Sequence, residues 1–518
     1  MYQPTPRNQL LNACVRNRIE FSDVFISYND FHLPRYIEGY IKASERWITR
    51  EMLSMRHSPA LDGMMLYDEM YDMGVTGLDK LHIKLLPSMR TALAGKVFGK
   101  QVSKIKSNMS RYVSRPKNQR DPKALDEYLA WGKWERHGWG DYNTRVANVA
   151  RAVVPDAAMG TYHRTWMTVG GTIGIMNGYP PDVFEGLDIC SHVHYADNAT
   201  GWQQSPMLVP ALRFGRKRQV FVNIPLLHEI RGKCNGEYQR HMAFAMLAQG
   251  ADGVSQWGLP ASFANGPNTG MVFGKETTQH LNKQILAPFG ELMSETDYGY
   301  KQVGIVNTLN QHLLSDFKPI SVAHQVEVLW IACWRLGYPA VLLHEDAFEQ
   351  SVNEFKVIFV PGIRFDNELG PMIMKRLEEA AKAGTKIVVE KGSELDIPGV
   401  VKLDNPLLDY FVRAYFPTWY DDELHKLFDE SQPATDYFAK KMPELGAEPS
   451  ARGPFKVGPN WRRSGDINYL VMANYNDPDY GHTVKQIMAR PVRMPLTVAA
   501  HRGKVAYDLL AQSPMPLA

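Results

Sequence analysis

From Phe21 to about Gly258 short apolar runs alternate with longer stretches whose apolar residues recur at helical spacing. The runs are DVFISYND (Asp23 to Asp30), GMMLYDE (Gly63 to Glu69), DAAMGTYH (Asp156 to His163), LDICSHVHY (Leu187 to Tyr195), QVFVNI (Gln219 to Ile224) and ADGVSQWG (Ala251 to Gly258). Between them lie segments such as PRYIEGYIKASERWITREMLSM, ALDEYLAWGKWERHGWGDYNTRVANVARAV and EYQRHMAFAMLAQ. Strand followed repeatedly by helix predicts a parallel sheet, since parallel neighbours are joined by crossovers. Several runs end in polar, chemically capable residues: Asn29 and Asp30, Asp68 and Glu69, His163, His194 and Tyr195, Gln256. Chemistry carried at the carboxyl ends of parallel strands is the arrangement of a (β/α)8 barrel of the TIM type.

About six barrel strands are visible where a complete barrel has eight. Either the chain lacks the first strands, or the barrel is incomplete or finished by another element. Further on, KQVGIVN, the AVLL of GYPAVLLHED, FKVIFVPG and TKIVVEKG read as strands, separated by a helical HQVEVLWIACWRLG and by DNELGPMIMKRLEEAAKAG, a helix closed by glycine. Alternation this tight predicts a doubly wound, flavodoxin-like α/β domain. INYLVMANYNDP and PVRMPLTVAAHRGKVAYDLL carry strand patterning, consistent with a small carboxyl-terminal β domain. The expected division is a catalytic barrel over 1–298, the flavodoxin-like domain over 299–410, and linker helices with the β-rich domain over 411–518.

At 518 residues and 44% hydrophobic content the chain exceeds one ordinary core, in line with two or three domains. A formal charge of only +3 gives no global field for nucleic acid or an anionic membrane, which favours a neutral substrate. Arg90 to Arg120 is basic and holds no acidic residue, but with few interleaved aromatics it reads as a solvated helical excursion rather than a nucleic-acid patch. The 11 Trp and 24 Tyr serve core packing or stack on sugar rings. Cys14, Cys190, Cys234 and Cys333 lie far apart without a CxxC pair, against a zinc cage or a disulfide framework. With no signal-type amino terminus and no run of about 18 apolar residues, the expected location is cytoplasmic by default.

Asp68 and Glu69 stand where a barrel strand would emerge into an active-site mouth; the alternative is an exposed acidic pair capping the next helix. YDEMYDMG followed by a long helical excursion, DAAMGTYH, GLDICSHVHY and AMLAQGADGVSQWG resembles the order of landmarks in family 42 of the glycoside hydrolases, the β-galactosidases of clan A. The unit from Lys301 to Leu403, above all VIFVPG with ELGPMIMKRLEEAAKAGTKIVVE, resembles that family's trimerisation domain. The resemblance implies a retaining glycosidase acting on a β-linked, galactose-containing oligo- or polysaccharide, without cofactor or metal, as a homo-oligomer (dimer or trimer).

The resemblance also assigns Glu69 as acid/base, with Glu229 as the available nucleophile. Glycoside cleavage passes through an oxocarbenium-like state, so one carboxyl must donate a proton while another carboxylate attacks or stabilises the anomeric carbon. Two departures stand out. Asp68 replaces the family's Asn beside the acid/base, and a neighbouring carboxylate favours the protonated form by like-charge repulsion while changing the sugar contact. QVFVNI, in turn, runs into Pro225 with no carboxylate at the tip, where the family places its nucleophile. Glu229, in PLLHEIRGK with His228 and Arg231 nearby, is the nearest candidate, against a helix first turn or a surface ion pair.

Asn29, Asp30, Asp68, His163, His194, Tyr195, Trp202 and Trp257 would line the sugar site. His192 and His194 alternate onto one strand face, but no third ligand stands at metal spacing. Two rivals remain. The flavodoxin-like unit could itself be an enzyme, although Cys333 falls mid-helix, VIFVPGIRFDN offers no nucleophile at its elbow, and GIVNTLNQHL lacks a phosphate loop. The stronger rival is a carbohydrate-binding or scaffold protein on a hydrolase-derived barrel that has lost turnover.

Overall fold

A computed structural model describes residues 38–58, 61, 63–66, 121–164, 184–193, 209, 219–225, 246–257, 283, 287–298, 302–314, 322–404, 432–452, 457–474, 497–498, 506–508 and 513–515. The expected first strand, Asp23 to Asp30, and the basic stretch Arg90 to Arg120 lie outside them.

The amino-terminal unit begins with helix α1 (Glu38–Met55) and strand β1 (Gly63–Met65). Helix α2 (Pro122–Val153) follows, then β2 (Ala158–Arg164), β3 (Ile189–Val193), β4 (Gln219–Pro225) and β5 (Gly253–Trp257). The five strands form one sheet in the order β1-β2-β3-β4-β5, with every neighbouring pair parallel. Sequential order with parallel neighbours is what barrel strands share, because each crossover helix returns the chain to the next position along the sheet. Each of the five expected runs from Gly63 onward overlaps one of these strands.

Local chemistry sets the ends of α2. The Asp121 side chain accepts from the N–H groups of Lys123 and Ala124, and Pro122 takes the first helical position, where its missing N–H costs nothing. In the last turn Arg151 donates to the Asp188 carboxylate (2.7 Å) and to the Gly186 carbonyl (2.9 Å), just before β3 begins. Two N–H groups of Arg145 converge on one Glu45 oxygen, at 3.0 and 2.7 Å, tying α2 to α1.

Gly63 pairs with Ala158, and a β-carbon built on it would run into the Ala158 carbonyl oxygen and lie 2.9 Å from the carbonyl carbon. Backbone cannot rotate away as a side chain can, so the strand leading to Glu69 requires glycine at this point. Gly63→Ala is expected to cost about 1–3 kcal/mol, read as a lower urea midpoint for the barrel unit.

Helix α3 (Ala287–Glu295) and the short strand β6 (Asp297–Tyr298) lead into a second unit. Its elements are β7 (Val303–Val306), α4 (Leu309–Leu314), α5 (Val322–Arg335), β8 (Ala340–Leu343), β9 (Val357–Val360), α6 (Pro371–Lys382), β10 (Lys386–Val389) and β11 (Val401–Lys402). The sheet order is β11-β10-β9-β7-β8, all parallel. Renumbered within the unit this is 2-1-3-4-5, the order of flavodoxin-like sheets.

Both sheet faces are covered, which explains the unbroken apolar runs. Val303, Ile305, Leu342, Val357, Phe359 and Val388 face a core shared with α5, while Val306, Leu343, Ile358, Val360, Ile387 and Val389 face a core shared with α6 through Ile373, Leu377 and Ala380. Gly337 (φ 77°) and Gly384 (φ 103°) follow α5 and α6 in the left-handed conformation that ends helices.

Helix α7 (Gln432–Glu444) joins the first of these cores through Ala434, Phe438 and Met442. Beyond β12 (Ala451–Arg452), β13 (Val457–Ser464) and β14 (Ile467–Asn474) form a hairpin across the two-residue Gly465–Asp466 turn, with Gly465 at φ 55°. β13 also pairs antiparallel with β6, and the buried Arg462 donates to the carbonyls of Leu247 (3.3 Å) and Thr296 (3.0 Å). The carboxyl-terminal hairpin is therefore tied to backbone on the barrel side of the second unit. Three further short strands, β15 (Thr497–Val498), β16 (Ala506–Asp508) and β17 (Ser513–Met515), complete the described chain; β15 pairs antiparallel with β12, and β16 with β17.

Candidate active site

Because β1 to β5 are parallel and adjacent, their carboxyl ends lie along one edge of the sheet. β1 ends at Met65, and the N–H of Leu66 still donates to the Gly160 carbonyl (2.7 Å), three residues before Glu69. His163 stands one residue before the end of β2, directly opposite His192 of β3. Val193, the last residue of β3, pairs with Asn223, and Asn223 pairs with Ser255. Pro225 ends β4 opposite Trp257, which ends β5. His163 and Trp257 are thus at the same strand edge. Asn29, Asp30, Asp68, Glu69, His194, Tyr195, Trp202 and Glu229 lie outside the described residues.

The sheet carries this edge as a rigid unit. Thr161, Cys190 and Ser191, in the middle of β2 and β3, are fully buried, as are Met159 and Leu66. At the opposite edge Asp188 acts as a clamp: its carboxylate accepts the Met159 N–H (2.8 Å) and the Arg151 guanidinium, and its own N–H donates to the Met159 carbonyl (2.8 Å). The half-exposed ion pair by itself is worth at most about 1 kcal/mol. The backbone contacts join β2, β3 and the end of α2 in one knot. In the sequence Asp188 belongs to the LDIC stretch at the start of β3, and its signal is an acid at a strand start matched to Arg151 in the last turn of α2.

The corresponding edge of the flavodoxin-like sheet is also polar, and its polar groups serve the chain itself. The N–H of Thr308 donates to Gln311 Oε1 (2.7 Å) and that of Leu309 to Glu345 Oε1 (2.7 Å). Gly362 N–H donates to Glu390 Oε1 (2.7 Å), and Arg364 N–H to Glu368 Oε2 (2.7 Å). His344 Nδ1 and His312 Nε2 close on the carbonyl and the amide oxygen of Asn307. Backbone donors that would cradle a phosphate are taken by the chain's own carboxylates and amides, and carboxylates there repel an incoming anion. Burial pushes the Cys333 thiol up to about 12, so it stays protonated and is no nucleophile at neutral pH. Among the described residues of this unit, these backbone donors and Cys333 are thus committed to the fold.

Among the described residues no three His, Cys, Asp or Glu side chains are grouped to hold a metal ion, and no helix is long and apolar enough to cross a membrane.

No family model matches the chain, and no curated protein matches it. Solved structures do. A β-galactosidase from Bacillus circulans sp. alkalophilus superposes with a TM-score of 0.57 over 90% of this chain and 82% of its own, at 12% identity. A β-galactosidase from Rahnella sp. R3 gives a TM-score of 0.55 over 85% and 78%, also at 12% identity. An exo-carrageenase of glycoside hydrolase family 42 from Bacteroides ovatus gives 0.52 over 93% and 68%, at 11% identity. The chain is similar in fold to these glycosidases along most of its length, an α/β protein built on parallel sheets.

Proposed function

We propose that this chain is a retaining glycoside hydrolase that cleaves a β-linked, galactose-containing oligo- or polysaccharide, with Glu69 as acid/base and Glu229 as nucleophile. The observation that carries the reading is the placement of β1 and β4. β1 and β4 end at the same edge of one parallel sheet, in a fold shared with a family 42 enzyme, and in the sequence Glu69 comes four residues after β1 and Glu229 four residues after β4. The strands are three places apart, about 14 Å along the sheet at about 4.8 Å per strand. When such a sheet curls into a (β/α)8 barrel, positions three apart face each other across the mouth, and two glutamate side chains close the gap to the roughly 5 Å that a retaining mechanism needs.

In this mechanism the Glu69 carboxyl gives its proton to the departing glycosidic oxygen while the Glu229 carboxylate bonds to the anomeric carbon. The Glu69 carboxylate then takes a proton from water, and that water's oxygen replaces Glu229 on the sugar. Asn29, Asp30, Asp68, His163, His194, Tyr195, Trp202 and Trp257 complete the sugar site in this reading. The flavodoxin-like unit, its backbone donors satisfied internally, supplies self-association into a homo-oligomer.

One observation favours a second reading, a carbohydrate-binding protein without turnover: β4 ends in Pro225, with no carboxylate at its tip. A panel of nitrophenyl β-glycosides assayed from pH 4 to 9 decides between them. Turnover of a β-galactoside supports the hydrolase; saturable galactose binding without turnover at any pH supports the binder.

A further inference from the structure

A cavity of about 570 Å³ lies where the first turns of α2 meet the flavodoxin-like unit. Asp126 and Leu129 of α2 form one wall; Asn310 of α4, Asp366 and Asn367 of the short turn before α6, and Met374 of α6 form the other. We infer that this cavity is a second ligand site, apart from the strand-tip edge, and that it takes a neutral, hydroxyl-rich molecule of mono- or disaccharide size.

Asn310 is the strongest pointer. It is 3% exposed; its Nδ2 donates to the Glu368 carbonyl (3.1 Å), while its Oδ1 lines up with no donor from the protein. A buried acceptor left empty costs on the order of 1–3 kcal/mol, which a ligand hydroxyl recovers. The remaining walls narrow the chemistry. Among the described lining residues there are two carboxylates and no Lys, Arg or His, a lining that disfavours phosphates and other anions. One of those carboxylates, Asp366, already accepts the Asp396 N–H (2.8 Å), so it is held in place. The volume suits an organic ligand at about 300–1,000 Å³ and is far too open for the close oxygen cage of a calcium ion, with ligands at about 2.3–2.6 Å. Helix α6 opens on the cavity at Gly370 and Pro371 with no side chain capping it; Pro371 has no N–H and that of Met374 donates to the Gly370 carbonyl (3.1 Å), which leaves the N–H groups of Met372 and Ile373 as donors. A site offering both acceptors and donors matches hydroxyl groups, which are both, better than a protonated amine, which only donates. Leu129 and Met374 supply apolar surface for the C–H face of a sugar ring.

The place is also informative. The last turn of α2 is bound at the base of β3, so its first turns lie toward the strand tips. At 32 residues α2 is about 48 Å long, against about 23 Å for the seven residues of β2, so Asp126 stands beyond the tips. A sugar held here bridges the barrel and the flavodoxin-like unit on the side from which a glycan would approach. Holding a sugar at this place requires no hydrolysis.

The test is calorimetric titration of the full chain with D-galactose and with lactose, in the Glu69→Gln background so that nothing is consumed, with putrescine as a donor-only probe. Met374→Trp, which fills the space, is expected to abolish one saturable binding component; Asp126→Ala, at an exposed helical position, should weaken the same component at least fivefold. Circular dichroism checks that both variants are folded, and the Asp126 variant decides the matter if the Trp variant is not. Unchanged galactose and lactose binding in Asp126→Ala, or binding of putrescine in place of the sugars, overturns the assignment. Failure of the hydrolase reading would appear in the chromogenic panel and leave this component intact.

Discussion

Replacing Glu69 by glutamine is expected to lower turnover of β-linked glycosides by about 10²–10⁴-fold while sugar binding persists. The amide keeps the shape and the hydrogen-bonding capacity of the side chain but has no proton to give to a departing oxygen. The loss should follow the leaving group. Nitrophenolate departs with little protonation and should sit at the shallow end, whereas lactose, whose glucose would have to leave as an alkoxide unless protonated, should sit at the deep end. Steady-state rates on both substrates, with galactose inhibition constants as the measure of binding, check this. An equal loss on both would place Glu69 in substrate positioning instead of proton transfer, and full activity would remove it from the mechanism.

The second large effect concerns the flavodoxin-like unit. Phe359→Ala is expected to destabilise it by about 3–5 kcal/mol. Phe359 is 1% exposed in β9, and its ring meets that of Phe438 edge-on, with centroids 5.6 Å apart at 87°. Phe438 in turn stands edge-on to Tyr437, at 5.1 Å and 83°. Removing the phenyl ring leaves a void between sheet and α7 that neither rigid partner can fill, so both transfer energy and dispersion contacts are lost. Phe359→Leu, which keeps most of the volume, should cost well under half as much. In urea the alanine variant should show a lower midpoint for the transition reporting this unit, with glycosidase activity before that transition unaffected. Coincident loss of activity would mean that the barrel depends on the second unit for its own folding.

The five described barrel strands were legible because each is a short apolar run bounded by turn residues. The same holds for the core strands of the second sheet, where a strand buried on both faces must be apolar throughout. Glycine marked the helix ends as expected, since Gly337 and Gly384 adopt a conformation other residues resist. β13 escaped notice. Its VGPNWRRS carries Gly, Pro and two arginines, and its extended form comes from pairing with β14 and β6. The function of Asp188 was equally hidden, because an acid at a strand start means little until the Arg151 that meets it is known.

What this chain's amino acids determine by themselves is local: where strands and helices form, how long they run, which carboxylates follow which strand, and that its charge is nearly balanced. Periodicity and turn chemistry act within about a dozen residues, so they survive without neighbours. The tertiary structure alone decided that β1 to β5 stand in sequential order, that β7 sits between β8 and β9, that α7 packs under Phe359, and that a cavity opens beside Asn310. Each of these joins residues far apart in the chain. Such pairings are chosen by the total apolar surface buried and the backbone groups satisfied across the whole molecule, a sum that no single stretch contains.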